Sequence, residues 1–149
     1  MYNLVNCGYS PNVFRIQNGY GDAIVEMICK AASGIHTSTT ETKQVSKSVR
    51  LFVFEFEKEV SEIENFVANY FNNERPLIFP CTNGVLPNIK VPTRYGHVTI
   101  PIVDTCGNRM TTFDVKEGCK LHVRMQAKTA WTSKTHCGVS WVLHSIKIL

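Results

Sequence analysis

The spacing of the apolar residues constrains this chain more than any other feature. Along most of the sequence they alternate with polar residues instead of recurring at helical intervals, and Gly, Pro or Asn interrupts them every ten or so positions. A period of two turns one side of an extended segment toward a core and the other toward water, so the chain reads as mostly β. Candidate strands are 12–17, 22–31, 47–57, 77–79, 89–91, 97–103, 110–115, 120–130 and 139–149. Asn18-Gly19-Tyr20-Gly21, Cys106-Gly107-Asn108 and Glu117-Gly118 supply turns, because Gly and Asn accept the positive φ that tight turns demand.

One segment departs from this rhythm. Over 57–71 the apolar residues Val60, Ile63, Phe66, Val67, Tyr70 and Phe71 fall on one helical face, with Glu59, Glu62, Glu64, Asn65 and Asn69 as a polar outer face. Asn72-Asn73 and then Pro76 end the run. Strands, one amphipathic helix and strands again suit an OB-like five-stranded barrel with extra strands, in which the helix commonly plugs the barrel between its third and fourth strands; a β-sandwich is the alternative. With 149 residues and neither repeat nor linker-like stretch, residues 1–149 read as a single domain.

Charge narrows the search for a functional surface. The net charge of +4 conceals an asymmetry: residues 1–75 hold seven Lys/Arg against nine Asp/Glu, and residues 76–149 hold nine against three. Within the basic half, the stretch 120–130 alternates most cleanly. Leu121, Val123, Met125 and Ala127 point to one side, and Lys120, His122, Arg124, Gln126 and Lys128 to the other, a basic ladder with no nearby acid in its own sequence. Such a ladder can track several phosphates, although the same face could be simply solvated or paired with acids on a neighbouring strand. Trp131 closes this strand and Trp141 sits on the next. Parity places Trp131 on the apolar side unless a bulge near Thr129 rotates it; bordering a loop, it is expected to be the more exposed of the two. Arg94-Tyr95 and His97 form a second basic and aromatic cluster, Lys134 lies just beyond Trp131, and Lys90 and Arg109 extend the field. Aromatic rings beside cations are the parts that stack unpaired bases. The polar segment 33–48, with eight Ser/Thr, reads as a mobile loop whose hydroxyls and Lys43 or Lys47 could meet phosphate.

Catalysis finds less support, and the chain reads as non-catalytic. Ser140 lacks the second Gly of a nucleophile elbow. Cys119, His122, His136 and Cys137 have the chemistry of a zinc site, but strand geometry turns them to different sides. Cys137 beside His136 could be an activated thiol, with no third group to orient the pair. No phosphate loop, paired-acid motif or dinucleotide fingerprint is present, so neither metal nor cofactor is expected. The opening residues show no secretory signal pattern and no apolar run approaches a membrane span, which leads to the expectation of an intracellular protein with reduced cysteines and no membrane partner.

The final segment, AKTAWTSKTHCGVSWVLHSIKIL, resembles the closing hairpin of OB-fold single-stranded-DNA-binding proteins of large DNA viruses and phages. In that hairpin a basic strand ends in an aromatic residue, here Trp131; a short polar loop follows, here 132–137; and a Gly, here Gly138, starts a last strand of alternating apolar residues. The resemblance implies a protein that coats single-stranded DNA in replication or recombination, in the nucleus or cytoplasm of a host cell if viral. Lys120, His122, Arg124, Lys128, Trp131, Lys134, Arg94 and Tyr95 are then the candidate nucleic-acid contacts. Long terminal strands leave an edge that invites homo-oligomer formation, and a self-associating structural or assembly β protein is the alternative function.

Overall fold

The computed structural model describes residues 1–149 except Tyr9 and Asn73. Among the described residues, eleven strands and one α-helix follow in the order β1 (Tyr2–Asn6), β2 (Val13–Asn18), β3 (Gly21–Ala31), β4 (His36–Thr39), β5 (Val45–Phe52), α1 (Glu57–Tyr70), β6 (Val85–Val91), β7 (Thr93–Arg94), β8 (His97–Val98), β9 (Ile102–Val103), β10 (Lys120–Thr132) and β11 (Cys137–Ile148). The arrangement is mostly β with one helix, a multi-stranded sheet of OB-like organisation.

The longest strand, β10, organises it. On one side β10 runs antiparallel to β11, from Leu121 opposite Ile148 to Thr132 opposite Cys137. On the other it pairs with β3 from Lys120 opposite Lys30 to Ala127 opposite Ala23, then passes to β2, where Trp131 lies opposite Val13. From β3 the pairing continues antiparallel to β5 and β6, and β6 meets β11 in parallel at Val142 and Lys90. Leu121, Val123, Met125, Leu143 and Ile146 point into a contiguous core with Met27, Leu51, Leu86 and Ile89, and the helix adds Val60, Ile63 and Val67. These are the alternating residues of the strands and the i, i+3, i+7 residues of the helix, so burial follows the two sequence periods.

Several expectations need correction. The segment 110–115 is no strand: it holds a 3-10 turn at Thr112–Asp114, because the Thr111 N–H donates to Asp114 Oδ2 at 2.7 Å and the capping arrangement outcompetes extension. Between Pro76 and Pro80, 77–79 contributes only an isolated bridge from Leu77 to Cys137. The candidate strand 97–103 is two short pieces broken before Pro101, and the one at 47–57 ends at Phe52, where a 3-10 turn leads into α1. Residues 2–6 add a strand, β1, beside β2, and half of the polar segment 33–48 is ordered as a hairpin, with His36 opposite Ser48 and Thr39 opposite Val45. Threonine's β-branch suits a strand regardless of its polarity. The helix enters between β5 and β6, which are the second and third members of the set β3, β5, β6, β10 and β11, rather than between a third and fourth. It stops as expected, with Asn72 in the left-handed conformation; Asn73 lies outside the described residues.

Glu64 departs furthest from its expected place. Instead of facing water it is buried, and both carboxylate oxygens accept from the Cys81 N–H at 3.1 Å. Desolvation pushes its pKa above the usual carboxylate range, and the hydrogen bond only partly offsets that. The folded chain therefore holds this proton more tightly than the unfolded chain. Its stabilising contribution is full below the ordinary carboxylate pKa and is lost as pH rises through the raised one. Glu64→Gln keeps an oxygen to accept from Cys81 and carries no charge. Urea unfolding across mildly acid to neutral pH should show the variant gaining on the native chain as pH rises; a constant difference would contradict this account.

Candidate nucleic-acid interface

Strands β4, β5 and β6 present an outer face bordered by the turn after β10 and by the β7–β8 hairpin. Two adjoining depressions mark it, and a third lies beside them over the segment 96–113. The central one, about 400 Å³, is lined by Lys47, Lys90, Asn88, Phe79 and Trp131, with Ser38, Ser46 and Ser48 along the strands. A second, about 570 Å³, shares Ser46 and Lys90 with the first and adds Lys43 and Tyr95. The third, about 930 Å³, shares Lys47 with the first and Gly96 with the second. Among the described residues no Asp or Glu lines any of the three. Lys43, Lys47, Lys90 and Arg94 enter no ion pair among those residues, and Lys47 Nζ instead donates to Thr37 Oγ1 at 2.8 Å. Unpaired cations on an acid-free concave surface focus a positive potential outward.

Of the aromatic rings here, that of Trp131 is backed by the chain behind it. The β10 register shifts between Ala127 and Thr129, the bulge that frees Trp131 from strict parity, and Trp131 is half-buried while Trp141 is only 4% exposed. Its ring lies against Gly138, where an added Cβ would come within 2.6 Å of Cζ2 and 2.7 Å of Cε2. Phe79, 57% exposed, sits in the left-handed conformation on the segment joining α1 to β6. That segment is tied down twice near the ring: the Ile78 N–H donates to the Cys137 carbonyl at 2.9 Å, and the Cys81 N–H donates to buried Glu64. Tyr95, at the tip of the β7–β8 hairpin, is 87% exposed, with the Arg94 guanidinium 5.5 Å from its ring centre.

The sequence candidates divide between this face and elsewhere. Trp131 lines the central depression and Tyr95 the second, with Arg94 beside it. Lys134 is exposed in the turn that follows Trp131, and Lys128 is exposed at the bulge. Lys120, His122 and Arg124 line none of the three depressions. Lys120 borders a separate hollow with Lys30, Ile28, Phe52 and Phe54. The ladder also has the acid that its own sequence did not show: Glu26 on β3 stands opposite Arg124, and its Oε1 lies 2.9 Å from His122 Nε2. Gln126 is buried and bonded to His144 at 2.9 Å, so the ladder is interrupted. Phe79 and Phe113 were not singled out from sequence; nothing in a Phe between prolines, or in a Thr-Thr-Phe-Asp turn, announces an exposed ring.

The thiols and imidazoles do not assemble. All six cysteines are free. Cys137 Sγ donates to the Arg75 carbonyl, Cys119 Sγ points at the Asp114 carbonyl, and His136 Nδ1 pairs with Thr135 Oγ1. Burial raises the Cys137 pKa, which opposes thiolate activation, and pushes Cys29 to about 12. Among the described residues no group of three or more His, Cys, Asp or Glu could hold a metal ion, and no helix is long and apolar enough to cross a membrane.

No protein-family model matches this chain, and no curated protein matches it. Among solved structures, it is similar to the single-stranded DNA-binding protein from bacteriophage Enc34 in complex with ssDNA, with a TM-score of 0.55 over 99% of this chain and 95% of that one. At 10% identity the likeness is one of fold. The resemblance carried by the closing hairpin thus extends, as fold, over nearly the whole chain.

The seat of Trp131 on Gly138 can be tested directly. Gly138→Ala should displace the ring, shift the tryptophan emission and cost about 1–3 kcal/mol in urea unfolding. An unchanged spectrum and unchanged stability would mean that the ring does not rest there.

Proposed function

We propose that this protein binds single-stranded DNA along the groove over β4, β5 and β6, without catalysis, and coats exposed strands in replication or recombination. The acid-free groove lined by lysines without ion pairs and by the rings of Trp131, Phe79 and Tyr95 carries this reading. Phosphates would be neutralised by Lys47, Lys90, Lys43 and Arg94, with Lys134 at the Trp131 end. Bases would stack on Trp131, Phe79 and Tyr95 at ~1–3 kcal/mol each, and the strand hydroxyls would take up hydrogen bonds. Stacking needs unpaired bases, which favours a single strand over a duplex. Lys120, His122, Arg124 and Lys128 lie outside the groove and are assigned only a long-range share of the positive field.

Two further observations support this reading. The pairings of β3, β5, β6, β11 and β10 lead back to their start, as a closed five-stranded barrel of the OB kind requires, and in that fold the face of the second and third strands with the neighbouring loops binds oligonucleotides. The similar phage protein was solved in complex with ssDNA.

Fluorescence titration with single-stranded and duplex oligonucleotides at two salt concentrations tests it. Single strands should quench tryptophan emission and bind more tightly, and affinity should fall steeply with salt. Lys47→Ala with Lys90→Ala should flatten the salt dependence by about 0.7 in log–log slope per lost phosphate contact. Trp131→Ala should weaken binding by ~1–3 kcal/mol. Undetectable binding at low salt would overturn the proposal.

A second reading, a self-associating structural or assembly protein, draws on one observation: β1 ends the sheet, pairing only with β2 among the described residues, and carries exposed Val5. It predicts a stable oligomer by light scattering whose size ignores added oligonucleotide. The homo-oligomer expected of a strand-coating protein would instead grow with strand length.

A further inference from the structure

The segment between β6 and β10 adds β9 to the main sheet beside β11 and forms a separate two-stranded hairpin from β7 and β8, and two of its turns are locked by carboxylates. Asp104 Oδ1 accepts from the N–H groups of Cys106 and Asn108 at 2.9 Å, and Oδ2 accepts from Asn108 Nδ2 at 3.0 Å. Asp114 Oδ2 accepts from the Thr111 N–H at 2.7 Å and the Thr111 hydroxyl at 3.0 Å. These hydrogen bonds hold both carboxyls below the usual range. They are ionised at neutral pH and occupied by their own turns, and neither lines the neighbouring depression.

These turns hold out Arg109 and Phe113. Arg109 is exposed and joins no ion pair among the described residues, and Phe113 is 85% exposed. A single apolar side chain in water needs no explanation. Phe113, however, shares one concave surface of about 930 Å³ with Arg109, His97 and Lys47, and Lys47 also lines the central depression of the groove. A stacking surface and two cations are thus brought together on turns fixed by their own hydrogen bonds, beside the main groove with which the depression shares Lys47, and that fixing reduces the ordering cost of binding.

We propose that this depression is a further nucleotide subsite, in which Phe113 stacks an unpaired base and Arg109, with Lys47 at the junction, holds the phosphate of the strand leaving the main groove. The assignment rests on the single-strand reading of that groove and lengthens its footprint beyond the β4–β6 face.

The test is anisotropy of labelled oligothymidylates from about 4 to about 16 nucleotides, the range of site sizes for OB folds, with the native chain and an Arg109→Ala, Phe113→Ala variant. Both side chains are exposed, so the variant should keep the native unfolding midpoint. The native chain should gain affinity stepwise once the oligomer is long enough to leave the main groove. The variant should match it on the shortest oligomers that bind, lose about tenfold or more on the longest, and show a salt slope smaller by about 0.7. Equal affinity and equal slope at every length, with the native chain binding tightly, would overturn the subsite and leave the main groove standing. A native chain that binds no oligomer at any length would overturn both.

Discussion

The pairing of β10 with three partners is the constraint on which the remaining structure depends. A strand can satisfy only two neighbours at any residue, so β10 serves β3 with its first part and β2 with its last, while β11 follows it along the opposite edge. The change of partner coincides with the bulge between Ala127 and Thr129. A bulge bends its strand and resets which side chains face inward. Ala127 and Ala130 are both buried across this one, and Trp131 emerges half-buried at the rim, where it can meet Phe79 and the lysines of β5 and β6. Without that irregularity strict alternation would have put the Trp131 ring in the core.

The proposed groove is positioned by buried polar chemistry. Glu64 reaches from the inner side of α1 to the Cys81 N–H, and the Cys137 backbone bonds with both Pro76 and Ile78. Between those anchors runs the segment that carries Phe79. Burying a carboxylate against the Cys81 N–H is costly, and the raised pKa of Glu64 reflects that cost. In return, the helix, the segment after it and the start of β11 are held in one arrangement, and rings resting on a fixed support lose little freedom when something stacks on them.

Electrostatics divides the surface more finely than the net charge suggests. The surplus of the second half of the chain does not collect on one strand, because Glu26 sits beside His122 and Arg124. Where β5, β6 and the insertion after β6 meet, Lys43 and Lys47 from the more acidic half join Lys90, Arg94 and Arg109 from the basic half, with no Asp or Glu lining the depressions there among the described residues. Whole-chain charge is a guide to solubility and association rate, whereas the location of a field depends on which strands are neighbours.

By itself the sequence determined the local matters: the β character, the amphipathic helix over 57–71 with its stop at Asn72, the hairpin at Gly19, the closing hairpin around Trp131 and Gly138, and the greater exposure of Trp131 over Trp141. Each follows from periods, turn chemistry or near neighbours, which a linear reading can see. Only the tertiary structure decided the rest. The acid beside the 120–130 ladder is Glu26, nearly a hundred positions away in the chain. The burial of Glu64 depends on Cys81, and the gathering of Phe79, Lys47, Lys90 and Trp131 depends on strands that meet across the sheet. Even the capping turn that lifts Phe113 into water overrode a stretch that reads as strand, because a carboxylate three residues on satisfied the backbone better than extension did. Side-chain period fixes which face a residue takes, but register and bulges fix whose company it keeps there, and binding surfaces are made of company.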